Sequence, residues 1–208
     1  MGPLEAEGMR ERKKRERRDA IAACALRLFA ENGFERVSMR EIAHAADVSE
    51  PTVFNYFPIK ENLVFNEDRE RELALLQAVR DRPPGTSVVA AFRDMALVLL
   101  DRHRRETDMD WFRVVQGSPT LQRYRRELYA RQGLSLAGVL KTQAGGRLGD
   151  VAALSAARAL MGVIAAAGET LGQRLLSGAS PKSLTREVRA DIVRAFDLLE
   201  TGLSRLDD

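Results

Sequence analysis

Arg40, Glu50, Thr52, Asn55 and Tyr56 carry the side chains of this 208-residue chain whose types and spacing suit one chemistry, hydrogen bonding to a nucleic-acid duplex. A guanidinium such as that of Arg40 can donate two parallel bonds to a guanine edge in the major groove. Hydroxyls such as those of Thr52 and Tyr56 suit phosphate oxygens, and residues nearest the start of a reading helix suit base edges. Catalytic chemistry has no comparable set. The two histidines, His44 and His103, lie far apart and form no pair of Glu-x-x-His motifs for a carboxylate metal centre. Nor does the chain hold a His-Glu-x-x-His motif, a phosphate loop or a G-x-S-x-G elbow. It is expected to be no enzyme and to need no metal or cofactor.

The five residues lie within SMREIAHAADVSEPTVFNYFPIK, Ser38 to Lys60, which reads as two short helices and a tight turn. Ser38 and Glu41 have the spacing of a capping box, so a helix is predicted to start at Met39. Ile42, Ala43 and Ala46 share one face, and the small alanines admit a second helix closely. Asp47 and Val48 supply the turn. Ser49 is the next N-cap, Pro51 sits in the first turn where its missing N–H costs nothing, and Val53 and Phe57 lie four apart as buried anchors. The second helix, predicted from Glu50 to Tyr56, then turns Glu50, Pro51, Thr52, Asn55 and Tyr56 away from the anchors. This is the pattern of a helix-turn-helix reader, though capped pairs of helices also occur in purely structural hairpins.

Between Arg10 and Arg18, seven basic residues (Arg10, Arg12, Lys13, Lys14, Arg15, Arg17 and Arg18) stand against Glu11 and Glu16. Such a run is either a solvated tail or helix face, or, ahead of a reading helix, an arm that tracks phosphates or enters the minor groove. The arm would add a salt-dependent contribution through counterion release.

From Ile21 to Leu63 the sequence resembles the DNA-binding domain of the TetR family of transcriptional regulators. The likeness includes the LF-x-E-x-GF end of the first helix and the YFP-x-K junction into the fourth. It implies Arg40, Glu50 and Pro51 near bases, Ser38, Met39, Thr52, Phe54, Tyr56 and Lys60 near the DNA backbone, and Asn55 at either. It further implies a sequence-specific regulator, a ligand-responsive repressor that binds a pseudo-palindromic operator as a homodimer. The alternative is an architectural or effector-independent DNA-binding protein. Three positions depart from the family pattern. Asp47 stands where Gly is common and must accept a left-handed backbone. Phe54 replaces a frequent Tyr, exchanging a phosphate hydrogen bond for a thymine-methyl contact. Ile59 occupies a usual cap position, at a cost of about 1 kcal/mol to the fourth helix.

Composition suits a small regulator. A hydrophobic content of 45% suffices for a buried core, and the formal charge of +3 is modest, so DNA affinity should come from where the charges sit. Cys24, the one cysteine, has no intrachain partner for a disulfide and falls at core spacing from Ile21 and Leu28. No run of about eighteen consecutive apolar residues suggests a membrane span, and a cytoplasmic location is expected.

The remainder reads as helices, giving an all-α chain of about nine. Residues 1–65 form the basic arm and reader, and 66–208 an effector-binding and dimerisation region. Helices are predicted from Glu61 to Arg80, from Ser87 to Arg104, around Trp111 to Gln116, and from a Ser118–Pro119 start to the Gly145–Gly146 stop. The family resemblance implies a ligand pocket in this middle region. Its candidate lining, Phe92, Met95, Leu99, His103, Trp111, Phe112, Val115, Tyr124 and Leu128, suits a largely apolar small molecule, although most residues of this kind are simply core. Arginines cluster nearby at Arg102, Arg104, Arg105, Arg113, Arg123, Arg125 and Arg126, as a solvated shell or as partners of an anionic head group. From Val53 to Phe92 the chain is similar to actinobacterial regulators with acyl-CoA-like effectors. The last two helices, Val151 to Leu176 and Ser183 to Leu206, carry broad apolar seams. Leu160, Ile164, Leu171, Leu175, Ile192, Phe196, Leu199 and Leu203 on them are expected in a four-helix dimer interface, the other reading being intramolecular core.

Overall fold

The computed structural model describes residues 3–102, 107–179 and 181–203, and among them there is no strand. Ten helices succeed one another: α1 (Pro3–Asn32), α2 (Met39–Ala45), α3 (Glu50–Tyr56), α4 (Glu61–Val64), α5 (Asp68–Arg80), α6 (Val88–Arg102), α7 (Thr107–Gly117), α8 (Pro119–Gln143), α9 (Asp150–Leu176) and α10 (Pro181–Leu203). They form two compact units, Met1–Glu67 with Arg113–Gln122, and Asp68–Phe112 with Arg123–Asp208.

The first unit buries Ile21, Ala25, Phe29, Phe34, Val37, Ile42, Val53, Phe57 and Leu63. Two sequence expectations are revised here. The basic run is part of α1, which fits the helix-face reading and not an arm entering the minor groove. A helix about 10 Å across does not enter a minor groove about 6 Å wide, so the run can meet phosphates only from outside. The single helix expected from Glu61 to Arg80 is broken between α4 and α5. Leu63, Val64 and Phe65 are all buried, and three successive residues of a straight helix, about 100° apart, cannot share one face. The chain turns at Asn66 instead. Its carbonyl accepts Arg18 Nη2 at 2.8 Å, and its side-chain amide donates to Asp19 Oδ1 at 3.1 Å. This break accounts for ten helices where about nine were expected.

The segment Arg113–Gln122, which the sequence division assigned to the C-terminal region, belongs to this first unit. Ser118 explains part of its placement. Fully buried, it donates its hydroxyl to Glu35 Oε1 at 2.6 Å and caps α8 by accepting the Leu121 N–H at 3.2 Å.

The second unit is built on one core. Here α10 packs on α9 and α6, and α5 packs on α6. Phe92 of α6 and Phe196 of α10 meet at its centre, ring centroids 5.9 Å apart. The α8 helix ends at Gly145 and Gly146, both with positive φ, 57° and 84°, which side chains rarely tolerate.

Ser118→Ala should lower the unfolding free energy by about 1–2 kcal/mol, the usual value of an N-cap hydroxyl, read from the urea midpoint at unchanged slope. An unaltered midpoint would mean that neither bond of Ser118 contributes.

Candidate nucleic-acid interface

Helix α2 begins where its cap dictates. The Ser38 hydroxyl accepts the Glu41 N–H at 3.2 Å, and the Ser38 N–H donates to Glu41 Oε2 at 2.7 Å, closing the capping box. The Ser38 hydroxyl also donates to Glu41 Oε2 at 2.6 Å. These bonds hold the Glu41 carboxyl below the usual carboxylate range. Its folded value is depressed, so the cap is intact at neutral pH and is lost only as pH falls through that depressed value. Ile42 and Ala43 are buried, and the chain turns through Asp47, whose φ of 52° is left-handed.

Helix α3 is capped by Ser49, which accepts the Thr52 N–H at 3.2 Å and shares a hydroxyl–hydroxyl bond with Thr52 at 2.7 Å. Pro51 occupies its first turn. Val53 and Phe57 are completely buried, so the opposite face is free: Glu50, Pro51 and Asn55 are exposed, and Thr52 and Tyr56 half-buried. Phe54 is 44% exposed, an unusual position for a large apolar ring. On α2, Arg40 and Ser38 are exposed and Met39 is half-buried. The predicted contact residues of α2 and α3 thus lie at the accessible surface of the first unit.

Lys60 is the exception. Its ammonium donates to the Phe34 carbonyl and stands 4.3 Å from the Phe34 ring centroid and 5.5 Å from that of Phe29. Burial pushes its pKa down, against the opposing pull of Glu35, Glu61 and Glu41. The side chain expected at a phosphate is therefore turned into an aromatic cradle. Ile59 is exposed, and α4 has no side-chain cap; its first turn is closed by the Asn62 N–H on the Ile59 carbonyl at 3.2 Å.

Along the basic run, Arg10, Lys13, Lys14, Arg15 and Arg17 are exposed on α1, and Arg12 pairs with Glu16 at 3.5 Å. Arg18 is committed elsewhere, to the Asn66 carbonyl and to the Phe57 ring, 5.4 Å from its centroid. Sequence reasoning missed the roles of Arg18 and Lys60 and the bond from Ser118 to Glu35, though it placed Ser118 as the cap of α8. A basic residue just before an apolar periodic stretch, and one just after two phenylalanines, were the signals present.

The other candidate sites fare differently. Phe92, Phe112 and Val115 are buried, with Phe92 at the centre of the second unit's core. Met95, Leu99 and Trp111 pack partly buried against the same core; Tyr124 and Leu128 are half-buried. His103 lies outside the described residues. Of the expected interface residues, Leu160, Leu171, Leu175, Ile192 and Phe196 are buried within this chain, in the seam where α9 meets α10. They cannot also cover a partner, because neighbours of the same chain already occupy their surface. Ile164 and Leu199 remain partly exposed, and the Leu203 side chain lies outside the described residues. Among the described residues no cluster of His, Cys, Asp or Glu has the makings of a metal site.

Arg40→Ala should relax preference at a single base pair by about 1–3 kcal/mol in a competition gel-shift series. A specificity profile identical to wild type would remove Arg40 from base readout. Neutralising Lys13, Lys14 and Arg17 together should flatten the fall of log affinity with log salt by up to about 0.9 per lost phosphate contact. An unaltered slope would show that this face of α1 does not touch DNA.

Comparison with known proteins accords with this geometry. The family described as bacterial regulatory proteins, tetR family, matches residues 21–66. Over 195 residues the chain is 30% identical to a Mycobacterium tuberculosis protein named as a transcriptional regulator of mycofactocin biosynthesis, MftR, covering 90% of this chain and 91% of that one. Over 72 residues it is 36% identical to the HTH-type transcriptional repressor KstR of Rhodococcus jostii, covering 35% of this chain and 34% of that one. In structure it is similar to NalD of Pseudomonas aeruginosa, the secondary repressor of the MexAB-OprM efflux pump, with a TM-score of 0.58, 19% identity, and 88% and 96% of the two chains covered. The last likeness speaks for the all-helical fold, and the long match to MftR for the family. The chain belongs to the tetR family of bacterial regulatory proteins and is a DNA-binding transcriptional regulator.

Proposed function

We propose that this chain is a ligand-responsive repressor that reads a pseudo-palindromic operator as a homodimer. Residues 1–65 serve as its DNA-binding domain and 66–208 as its effector-binding and dimerisation domain. The observation that carries the reading is the two-faced construction of α3, completely buried on Val53 and exposed on Glu50, Pro51 and Asn55. On this reading Arg40, Glu50 and Pro51 meet base edges. Ser38, Met39, Thr52, Phe54 and Tyr56 meet the backbone, and Asn55 serves either. Lys60 joins the backbone contacts only by leaving Phe34.

One seven-residue helix reads few base pairs, so two copies on half-sites a helical turn or a multiple apart supply the specificity. The face for that pairing is on α9 and α10. An 18-residue window of α9 is apolar enough to cross a bilayer, by length and composition alone, yet only 28% of it is buried inside the chain. Gly162 and Ala166 of α9 are exposed and small, and Leu198 of α10 is 78% exposed. Covering this surface with the same surface of a second copy buries it by a two-fold axis, the commonest arrangement of soluble oligomers. Acting on chromosomal DNA places the dimer in the cytoplasm.

The effector is a small molecule taken up in the second unit and largely apolar, with acyl-CoA-like compounds the class implied by the sequence resemblance. Repression is relieved to the extent that the effector prefers the conformation that does not bind operator.

Sedimentation at micromolar concentration should return a dimer, and selection of genomic fragments by the purified protein should return an inverted repeat. A monomer would overturn the pairing of α9 and α10. Retention of fragments without a shared motif would favour an architectural protein.

A further inference from the structure

The side chains of α3 sort by chemistry around its axis. At about 100° per residue, Glu50, Pro51 and Phe54 fall to one side of the buried line through Val53 and Phe57, Thr52 and Tyr56 fall to the other, and Asn55 lies opposite. Thr52 and Tyr56 carry hydroxyls. The first flank has no side-chain donor and one backbone N–H fewer: Glu50 accepts, Pro51 lacks an N–H and Phe54 is a ring. Glu50 and Phe54 are helical neighbours four apart, and Pro51 and Phe54 three apart. All three are exposed, Phe54 to 44%. Among the described residues the Phe54 ring meets no other ring and no cation, whereas Phe29, Phe34 and Phe57 each meet both.

Such a flank is unfit for the DNA backbone. A carboxylate beside phosphates repels them and a phenyl ring cannot bond them, while the hydroxyl flank can donate to their oxygens. Base edges offer what it needs. The thymine C5 methyl is the apolar group that the major groove displays, and cytosine N4 is a donor with no acceptor of its own base beside it in the groove. Adenine N6 adjoins N7, an acceptor that repels a carboxylate. The first turn of a helix favours an acid on its own account, which leaves the exposed ring unexplained.

We propose that the Glu50–Pro51–Phe54 flank of α3 reads two pyrimidines of the half-site, a thymine by its methyl group against Pro51 and Phe54, and a cytosine by its N4 amino group donating to Glu50. This rests on the sequence-specific reading above and alters one part of it: Phe54, which the family likeness sends to the backbone, becomes a base reader. Helical neighbours stand about 5–6 Å apart and base pairs about 3.4 Å, so the two pyrimidine positions are adjacent or separated by one pair.

The operator recovered by genomic selection serves for the test. Each of its thymines is exchanged in turn for deoxyuridine, which removes the methyl group and leaves the hydrogen-bonding edge unchanged, and affinities are compared by gel shift. In each half-site one exchange should cost the wild type about fourfold in affinity, the value of one buried methyl group. Phe54→Ala should bind the thymine and deoxyuridine forms alike. Glu50→Ala should lose about tenfold of the preference for cytosine one or two pairs from that thymine. Both side chains are exposed, so these substitutions leave the buried side of α3 intact. A wild type indifferent to every thymine methyl overturns the proposal without recourse to a variant. So does a methyl preference that survives in Phe54→Ala, or a cytosine preference that survives in Glu50→Ala. If selection returns no shared motif, sequence-specific reading falls and pyrimidine readout with it; a motif whose thymine methyls are silent removes pyrimidine readout alone.

Discussion

A helix of seven residues does not hold itself in water, and α3 is that short. Isolated helices below about 12–15 residues are marginal, because nucleation fixes several residues for one hydrogen bond. Everything that makes α3 a reader must therefore come from outside it. Ser49 supplies the cap, Pro51 presets the first turn, and Val53 with Phe57 supplies the adhesion, both completely buried. Full burial of two such side chains is worth about 1.5–3 kcal/mol each, more than the helix can gain from its own bonds. Because all of that adhesion sits on one face, the other face carries no structural duty. Glu50 and Asn55 are free to be chosen for what they touch.

The reader is in turn clamped by cations that look, in sequence, as though they belong to DNA. Arg18 lies over the Phe57 ring and bonds the Asn66 carbonyl; Lys60 bonds the Phe34 carbonyl beside the Phe29 and Phe34 rings, which meet edge-on at 5.0 Å. A cation over an aromatic face is worth about 0.5–2 kcal/mol depending on how dry the site is. Together the two cations tie α1 and the turn after it to the chain between α3 and α5. The same positive charges give the reader a basic character while remaining structural, so counting arginines and lysines near α3 overstates the number of phosphate contacts.

The legibility of each feature in the sequence depends on the range of the interaction that sets it. The capping box of Ser38 and Glu41 and the Ser49 cap are set by neighbours within four residues, and the start of α2 and both ends of α3 were legible from them, while the left-handed turn at Asp47 was expected from the family pattern. The break between α4 and α5 was not, because its cause spans 48 residues, from Arg18 to Asn66. The bond from Ser118 to Glu35 spans 83 and was equally hidden. Periodicity identified the apolar stripes of α9 and α10 but does not say what lies opposite. Leu160 and Phe196 turned out to face each other's helices within the chain.

A helix apolar around most of its circumference has two ways of being soluble, and α9 uses α10 for only one side. Its seam side closes on Leu184, Val188, Ile192 and Phe196, all buried. The rest alternates small residues, Gly162, Ala165, Ala166 and Gly168, with Val163 and Ile164, and none of these is buried. Small residues leave a shallow surface on which a second helix can approach closely, and burying it returns free energy only if the partner is flat there as well. A copy of the same surface meets that condition automatically, since each groove faces its own complement across the axis. The charged residues Arg158, Glu169 and Arg174 lie exposed along the same helix. Arg174 pairs with Glu187 at 3.0 Å; desolvating charge is costly, so these residues belong at the rim of any such contact, and the small-residue stretch between Arg158 and Glu169 is the length over which two copies can pack without that cost.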